Sequence, residues 1–154
     1  MMKREIAISN RHSRVKVSSA SVKHILQALD RLKGYDCPEG QLSVVFVDDA
    51  EIIRLHREFL ENPTVTDVIT FVGEPHPVEP FAGEICINVD QAKRAAKEHQ
   101  HTLAQELRLY LMHGWLHLTG EKDETKPQVA SMRVAESVAL AYLEQLKLRL
   151  RLTV

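Results

Sequence analysis

A chain of 154 residues, 44% hydrophobic and 27% charged, is long enough to bury the core of one domain and has the make-up of a soluble globular protein. Its net charge of −1, from 20 basic and 21 acidic residues, argues against strong non-specific nucleic-acid binding, which needs many neutralised phosphates; a local basic patch stays open. No apolar run approaches the roughly 18 residues of a membrane span, the first residues lack the apolar core of a signal peptide, and two cysteines, Cys37 and Cys86, make no framework, so reduced thiols and a cytoplasmic location are expected.

Residues 5–9 alternate apolar and polar side chains and predict a short strand. Residues 19–32 predict a helix with Val22, Ile25, Leu26 and Leu29 on one face, followed by a loop over 34–40 with Pro38. Residues 42–47 are β-branched and aromatic and predict a strand; Asp48 or Asp49 then caps a helix running to about Leu60. A strand at 68–72 leads into a proline-bearing loop, 73–83, of the length that often forms a lid. The next strand, 83–89, has an edge position or a bulge near its glycine, and Asp90 caps a basic helix carrying Lys93, Arg94 and Lys97. Thr102 and Gln105 form a capping box that opens the next helix. Pro127 sits in the first turn of the last helix, ahead of a stripe of Val129, Met132, Val138, Tyr142 and Leu146. The alternation in 147–152 suits a strand or an amphipathic, flexible basic tail. This order implies one α+β domain over 1–154, a small sheet of about four strands with about five helices packed on it.

The stretch His113-Gly114-Trp115-Leu116-His117-Leu118-Thr119-Gly120, with Asp123 beyond it, carries the chemistry. Histidines four residues apart share a helix face, here beside an apolar stripe of Leu103, Leu107, Tyr110, Leu111, Gly114 and Leu118. Gly120 can end the helix in a left-handed turn and return the chain, bringing Asp123 toward the two rings. Two imidazoles and a carboxylate with an open position form a hydrolytic metal-site pattern; one divalent ion, zinc first, is the expected cofactor. Metallopeptidases of related layout carry a glutamate directly after the first histidine as general base, and here that position is Gly114. Glu106, two turns back, is too far to be a ligand and reads as a supporting or surface residue. Trp115 reads as packing, with base stacking as the alternative.

These residues resemble the signature of the YbeY family, bacterial ribosomal RNA maturation factors described as metal-dependent endoribonucleases, whose pattern runs His-Gly-x-Leu-His-Leu-x-Gly-Tyr-Asp-His. Residues Thr66-Asp67-Val68-Ile69-Thr70-Phe71 are similar to the family's Thr-Asp-Val-Leu-Ser-Phe strand, and Gly83-Glu84-Ile85 to its Gly-Asp-Ile strand. His101, Glu106 and Leu107 fall on a His-Ser turn and a Glu-Leu pair, and Met132 with Glu136 on a Met-x-x-x-Glu in the last helix. The resemblance implies hydrolysis of single-stranded RNA in ribosomal RNA maturation, with RNA and the ribosome or its assembly proteins as partners and no membrane. It places the metal on His113, His117 and Asp123.

Five positions depart from the family pattern. Asp123 stands where the third histidine falls, Glu121-Lys122 where Tyr-Asp does, His56 at an asparagine, and Leu60 at an arginine thought to act in cleavage. Arg57, one turn before Leu60, is the expected substitute for that cation. Glu121, Glu124 or metal-bound hydroxide are the candidates for general base, Lys122 for a further cation, and Lys93, Arg94 and Lys97 for the RNA backbone. Two other readings stand beside the nuclease: a metal-binding, ribosome-associated assembly factor that cleaves weakly, and a different metallohydrolase, with Gly114 against a peptidase.

Overall fold

In the computed structural model, residues 4–60 and 66–154 are described, the side chain of Leu60 excepted. The expectations about a leader at residues 1–3 and about the Leu60 side chain therefore fall outside them. The fold is α+β. Strands β1 (Ile6–Asn10), β3 (Gln41–Val47), β5 (Phe81–Asn88) and β4 (Val68–Val72) form one sheet in the order β1-β3-β5-β4. β1, β3 and β5 are parallel, and β4 runs antiparallel to β5. A second ribbon pairs β2 (Lys16–Val17) with β6 (Leu152–Thr153), so of the alternating run 147–152 only Leu152 enters a strand; Leu150 just before it is buried in the core.

Side-chain alternation along the strands divides the interior in two. Leu42, Val44, Phe46, Ile85 and Ile87 face the main core with helices α1 (Ser19–Leu29), α3 (Val89–His99), α4 (Leu103–Leu118) and α5 (Lys126–Gln145). Val45, Val47, Ile69 and Cys86 point to the opposite face, where Ile52 and Leu55 of α2 (Asp49–Leu60) cover them. Both cysteines are free thiols, and burial pushes the Cys37 thiol up to about 11.

The structure corrects several expectations. β5 is central rather than an edge, with a register shift opposite Ala82 supplying the bulge. The proline loop shortens to 73–80, because Gly73 N–H bonds the Ala82 carbonyl and carries the hairpin further. On α5 the buried residues are Met132, Ala135, Glu136, Ala139 and Leu143, whereas Val129, Val138 and Leu146 are exposed. Small alanines set that face, since they let α5 approach α4 closely. The α3 cap is Asn88, whose side chain accepts from the N–H groups of Asp90 and Gln91.

Asp90 instead joins a polar network at the C-terminal ends of the parallel strands. It accepts from the ring of buried His12 at 2.8 Å and from the Asp49 N–H at 3.0 Å. Asp49 in turn takes both nitrogens of the Arg94 fork, at 2.8 and 2.9 Å, and the Asn88 amide at 2.8 Å. Hydrogen bonding from Arg94 holds the Asp49 carboxyl below its ordinary value of 3.8. A depressed native pKa stabilises the fold fully above the unfolded value and loses that contribution as pH falls through the native one. Asp49→Asn is therefore expected to flatten the acid limb of stability between about pH 5 and about pH 2, measured by urea unfolding. An unchanged slope would assign acid sensitivity to other carboxylates.

Candidate metal centre

α4 begins with the expected capping box between Thr102 and Gln105 and lies across β5. Its contact with the strand depends on a missing side chain. A Cβ at Gly114 would come within 2.5 Å of Ile85 Cγ2. Position 114 therefore faces the sheet, and a glutamate there would be driven into the core rather than toward the histidines. The general base of the peptidase arrangement has no room in this fold.

Beyond Leu118 the helix closes in a Schellman turn. Gly120 N–H bonds the His117 carbonyl and Glu121 N–H the Leu116 carbonyl, both at 3.1 Å, with Gly120 at φ 103°. That turn does two things to the site. It places the Glu121 carbonyl 2.9 Å from His117 Nδ1, and it returns Asp123 to the helix face. The carboxylate of Glu121 points elsewhere, accepting from Ser131 Oγ of α5 at 3.1 Å.

Three ligand atoms converge. His113 Nε2 and His117 Nε2 are 3.0 Å apart, and Asp123 Oδ2 lies 3.3 Å from the first and 3.4 Å from the second. Bonds of about 2.0–2.2 Å to a tetrahedral zinc require ligand separations of roughly 3.3–3.5 Å. The network assigns the tautomers as well. His117 Nδ1–H donates to the Glu121 carbonyl, and His113 Nδ1–H donates to Glu136 Oε2 at 3.0 Å. Both Nε2 atoms then carry lone pairs, facing each other and a carboxylate with no donor between them. A cation at that focus satisfies all three, so the residues fit a divalent metal ion.

Glu136 was visible in the sequence only as a motif match, without a role. Its position 23 residues downstream gave no local signal; helix packing brings it to the ring. Arg133 braces its other oxygen at 2.7 Å. Burial raises the Glu136 carboxyl, but His113 and Arg133 outweigh it and hold the pKa below the ordinary value. Burial likewise disfavours a charged His113 ring, while Glu136, Asp123 and Asp67 together hold its pKa above the ordinary one. Asp67, another motif residue without an assigned role, thus adds to the negative field at the site. A carboxylate behind a metal-ligating imidazole fixes the ring and raises its basicity. Glu136→Gln is expected to weaken zinc binding about 10–100-fold while leaving the fold intact, read by competition with a chromophoric chelator. Unchanged affinity would show that helix packing alone orients His113.

The other candidate residues are scattered. Arg57 is exposed on the last turn of α2 and forms no ion pair among the described residues. Lys93 and Lys97 lie on α3, half-buried and exposed respectively. Arg94 between them is committed to Asp49 and Gln91. Lys122 and Glu124 are exposed in the return loop.

Comparisons with known proteins agree with this architecture. The family model described as Endoribonuclease YbeY matches residues 7–144. An Endoribonuclease YbeY from Syntrophotalea carbinolica is 32% identical over 146 residues, covering 91% of this chain and 96% of its own. One from Syntrophus aciditrophicus is 36% identical over 127 residues, covering 80% and 78%. Among solved structures, the solution structure of TM1509 from Thermotoga maritima superposes with a TM-score of 0.57 at 22% identity, covering 91% of this chain and 92% of that one. That last likeness bears on the fold alone.

Proposed function

Because this chain belongs to the Endoribonuclease YbeY family, we propose that it is a zinc-dependent endoribonuclease that cleaves single-stranded RNA in ribosomal RNA maturation, with His113, His117 and Asp123 as the ligands. The observation that carries the reading is the convergence of the three ligand atoms within 3.0–3.4 Å, with both Nδ1 positions already engaged. A zinc ion held there supplies Lewis acidity to a phosphoryl oxygen and to a water molecule. Imidazole donors favour zinc over magnesium or calcium, which prefer all-oxygen sites.

The chain's own residues supply positioning and charge. Glu136 and the Glu121 carbonyl keep the two rings aimed, so no reorganisation is needed when substrate arrives. The phosphate charge in the transition state calls for a further cation, and exposed Arg57 is the residue proposed for it, in the place of the arginine that Leu60 replaces. Lys93 and Lys97 are proposed to hold the RNA backbone, with Arg94 contributing only if it leaves Asp49. Among the described residues no helix is long and apolar enough to cross a membrane.

A second reading rests on Asp123. A carboxylate in the position of a third imidazole adds negative charge, reduces the Lewis acidity of the ion and raises the pKa of its bound water. On that reading the protein binds metal and the ribosome or its assembly proteins but cleaves weakly. One assay separates the two: chelator-stripped and zinc-restored protein is mixed with end-labelled single-stranded and duplex RNA. Cleavage of the single strand that appears only with zinc supports the nuclease. Binding without cleavage in the restored protein supports the assembly factor and overturns the nuclease.

A further inference from the structure

A second group of metal-ligating side chains lies at the opposite end of α4 and takes no part in the site above. His99 ends α3, and Gln100 follows in the left-handed conformation at φ 56°. That turn reverses the chain so that His99 and His101 both come against Glu106, in the first turn of α4. Their Nδ1 atoms lie 3.0 and 2.7 Å from the same oxygen, Glu106 Oε1. The two rings are tilted at 58°, with centroids 5.8 Å apart.

Glu106 is the unusual member. Its side chain is 0% exposed, although an ionised carboxylate is costly to bury. Among the described residues its ion-pair partners are the two histidines, with no lysine or arginine. Both rings converge on Oε1, while Oε2 is buried without a hydrogen-bond partner. Buried polar atoms left in that state are uncommon in native folds and call for an explanation. The histidines are 55% and 47% exposed, so the focus of the cluster opens to solvent and an ion can enter.

We propose that His99, His101 and Glu106 form a second binding site for a divalent transition-metal ion, separate from the centre at His113, His117 and Asp123. Two imidazoles and one carboxylate are a donor set for zinc and its borderline neighbours rather than for calcium or magnesium. The ion binds both Nδ1 atoms, each ring then carrying its one proton on Nε2 and any surplus proton passing to solvent, and it neutralises the buried carboxylate at Oε1. The present N···O separations are shorter than the roughly 3.3 Å edge of a zinc tetrahedron, and the exposed rings need only swing outward to open it. The site pins the corner between α3 and α4. The two sites also differ chemically: ligation here is through Nδ1, whereas in the first centre it is through Nε2.

The test is a zinc titration of metal-stripped protein by calorimetry, on the wild type, His99→Ala, His117→Ala and the double variant. His99 is exposed, and His101 still pairs with the buried Glu106 once it is removed. The expected result is two ions per chain in the wild type, one in each single variant and none in the double variant. In histidine-labelled His117→Ala, zinc is expected to shift the Nδ1 resonances of His99 and His101. A wild type that binds one ion, lost in His99→Ala and kept in His117→Ala, also supports this site while removing the metal from the first centre. A His99→Ala variant with the same stoichiometry as the wild type overturns the proposal, as does a His117→Ala variant that binds no zinc.

Discussion

His117→Ala is expected to abolish zinc-dependent RNA cleavage, leaving less than about 1% of wild-type activity. The bound follows from the size of lesser perturbations. Removing a group that merely orients a metal ligand costs about 10–100-fold, and removing a ligand must cost more. His117 contributes one vertex of the three-atom focus, 3.0 Å from His113 Nε2 and 3.4 Å from Asp123 Oδ2. Without it a single imidazole and a half-exposed carboxylate remain, too few to hold zinc against water. Stability should change little, because the ring is only partly buried and its loss frees a carbonyl near the surface. Unfolding within about 1 kcal/mol of wild type would separate loss of chemistry from loss of fold. Full cleavage by a folded His117→Ala protein would remove the metal centre from the mechanism.

The features of this site that could be read in the sequence are the local ones. The His113–His117 pair, the Thr102–Gln105 capping box and the Gly120 turn each act within about one helical turn, so spacing determines geometry. Asp123 belongs with them, since the Schellman turn leaves the returning chain little choice of direction. What spacing does not carry is the choice among faces and partners. Val129, Val138 and Leu146 are apolar, yet α5 buries Ala135 and Ala139, because close helix approach favours small residues over large ones. Asn88 rather than Asp90 caps α3, and two good capping residues two positions apart give no local basis for choosing between them. Glu136 and Glu106 are acidic and would be placed in solvent by type; tertiary packing buries both, one behind His113 and one behind two histidines. Even the family resemblance marked these two positions without saying what they touch.

Trp115→Ala carries the largest expected effect on stability, a loss of about 3–5 kcal/mol. At 100° per residue, position 115 points about 160° away from the face shared by His113 and His117, toward the main core. There the indole is 0% exposed, and its Nε1–H donates to Asp30 Oδ1 at 3.3 Å. Asp30 follows α1 directly and is also held by Arg4, whose Nε lies 2.6 Å from Oδ2. Trp115 thus joins α4 to the end of α1 through both volume and a charged acceptor. Alanine leaves a cavity at the junction, whereas Trp115→Phe keeps most of the apolar contact and loses mainly the hydrogen bond, at about 1–2 kcal/mol. Arg4 continues to satisfy Asp30 in either variant, which keeps the phenylalanine substitution mild. Urea unfolding of the two variants checks the order, and RNA binding provides the control. An alanine variant as stable as wild type that bound RNA poorly would return Trp115 to a base-stacking role. The expected converse, a large stability loss of the alanine variant with the phenylalanine variant binding RNA normally, places the aromatic ring behind the helix of His113 and His117 as its anchor to α1.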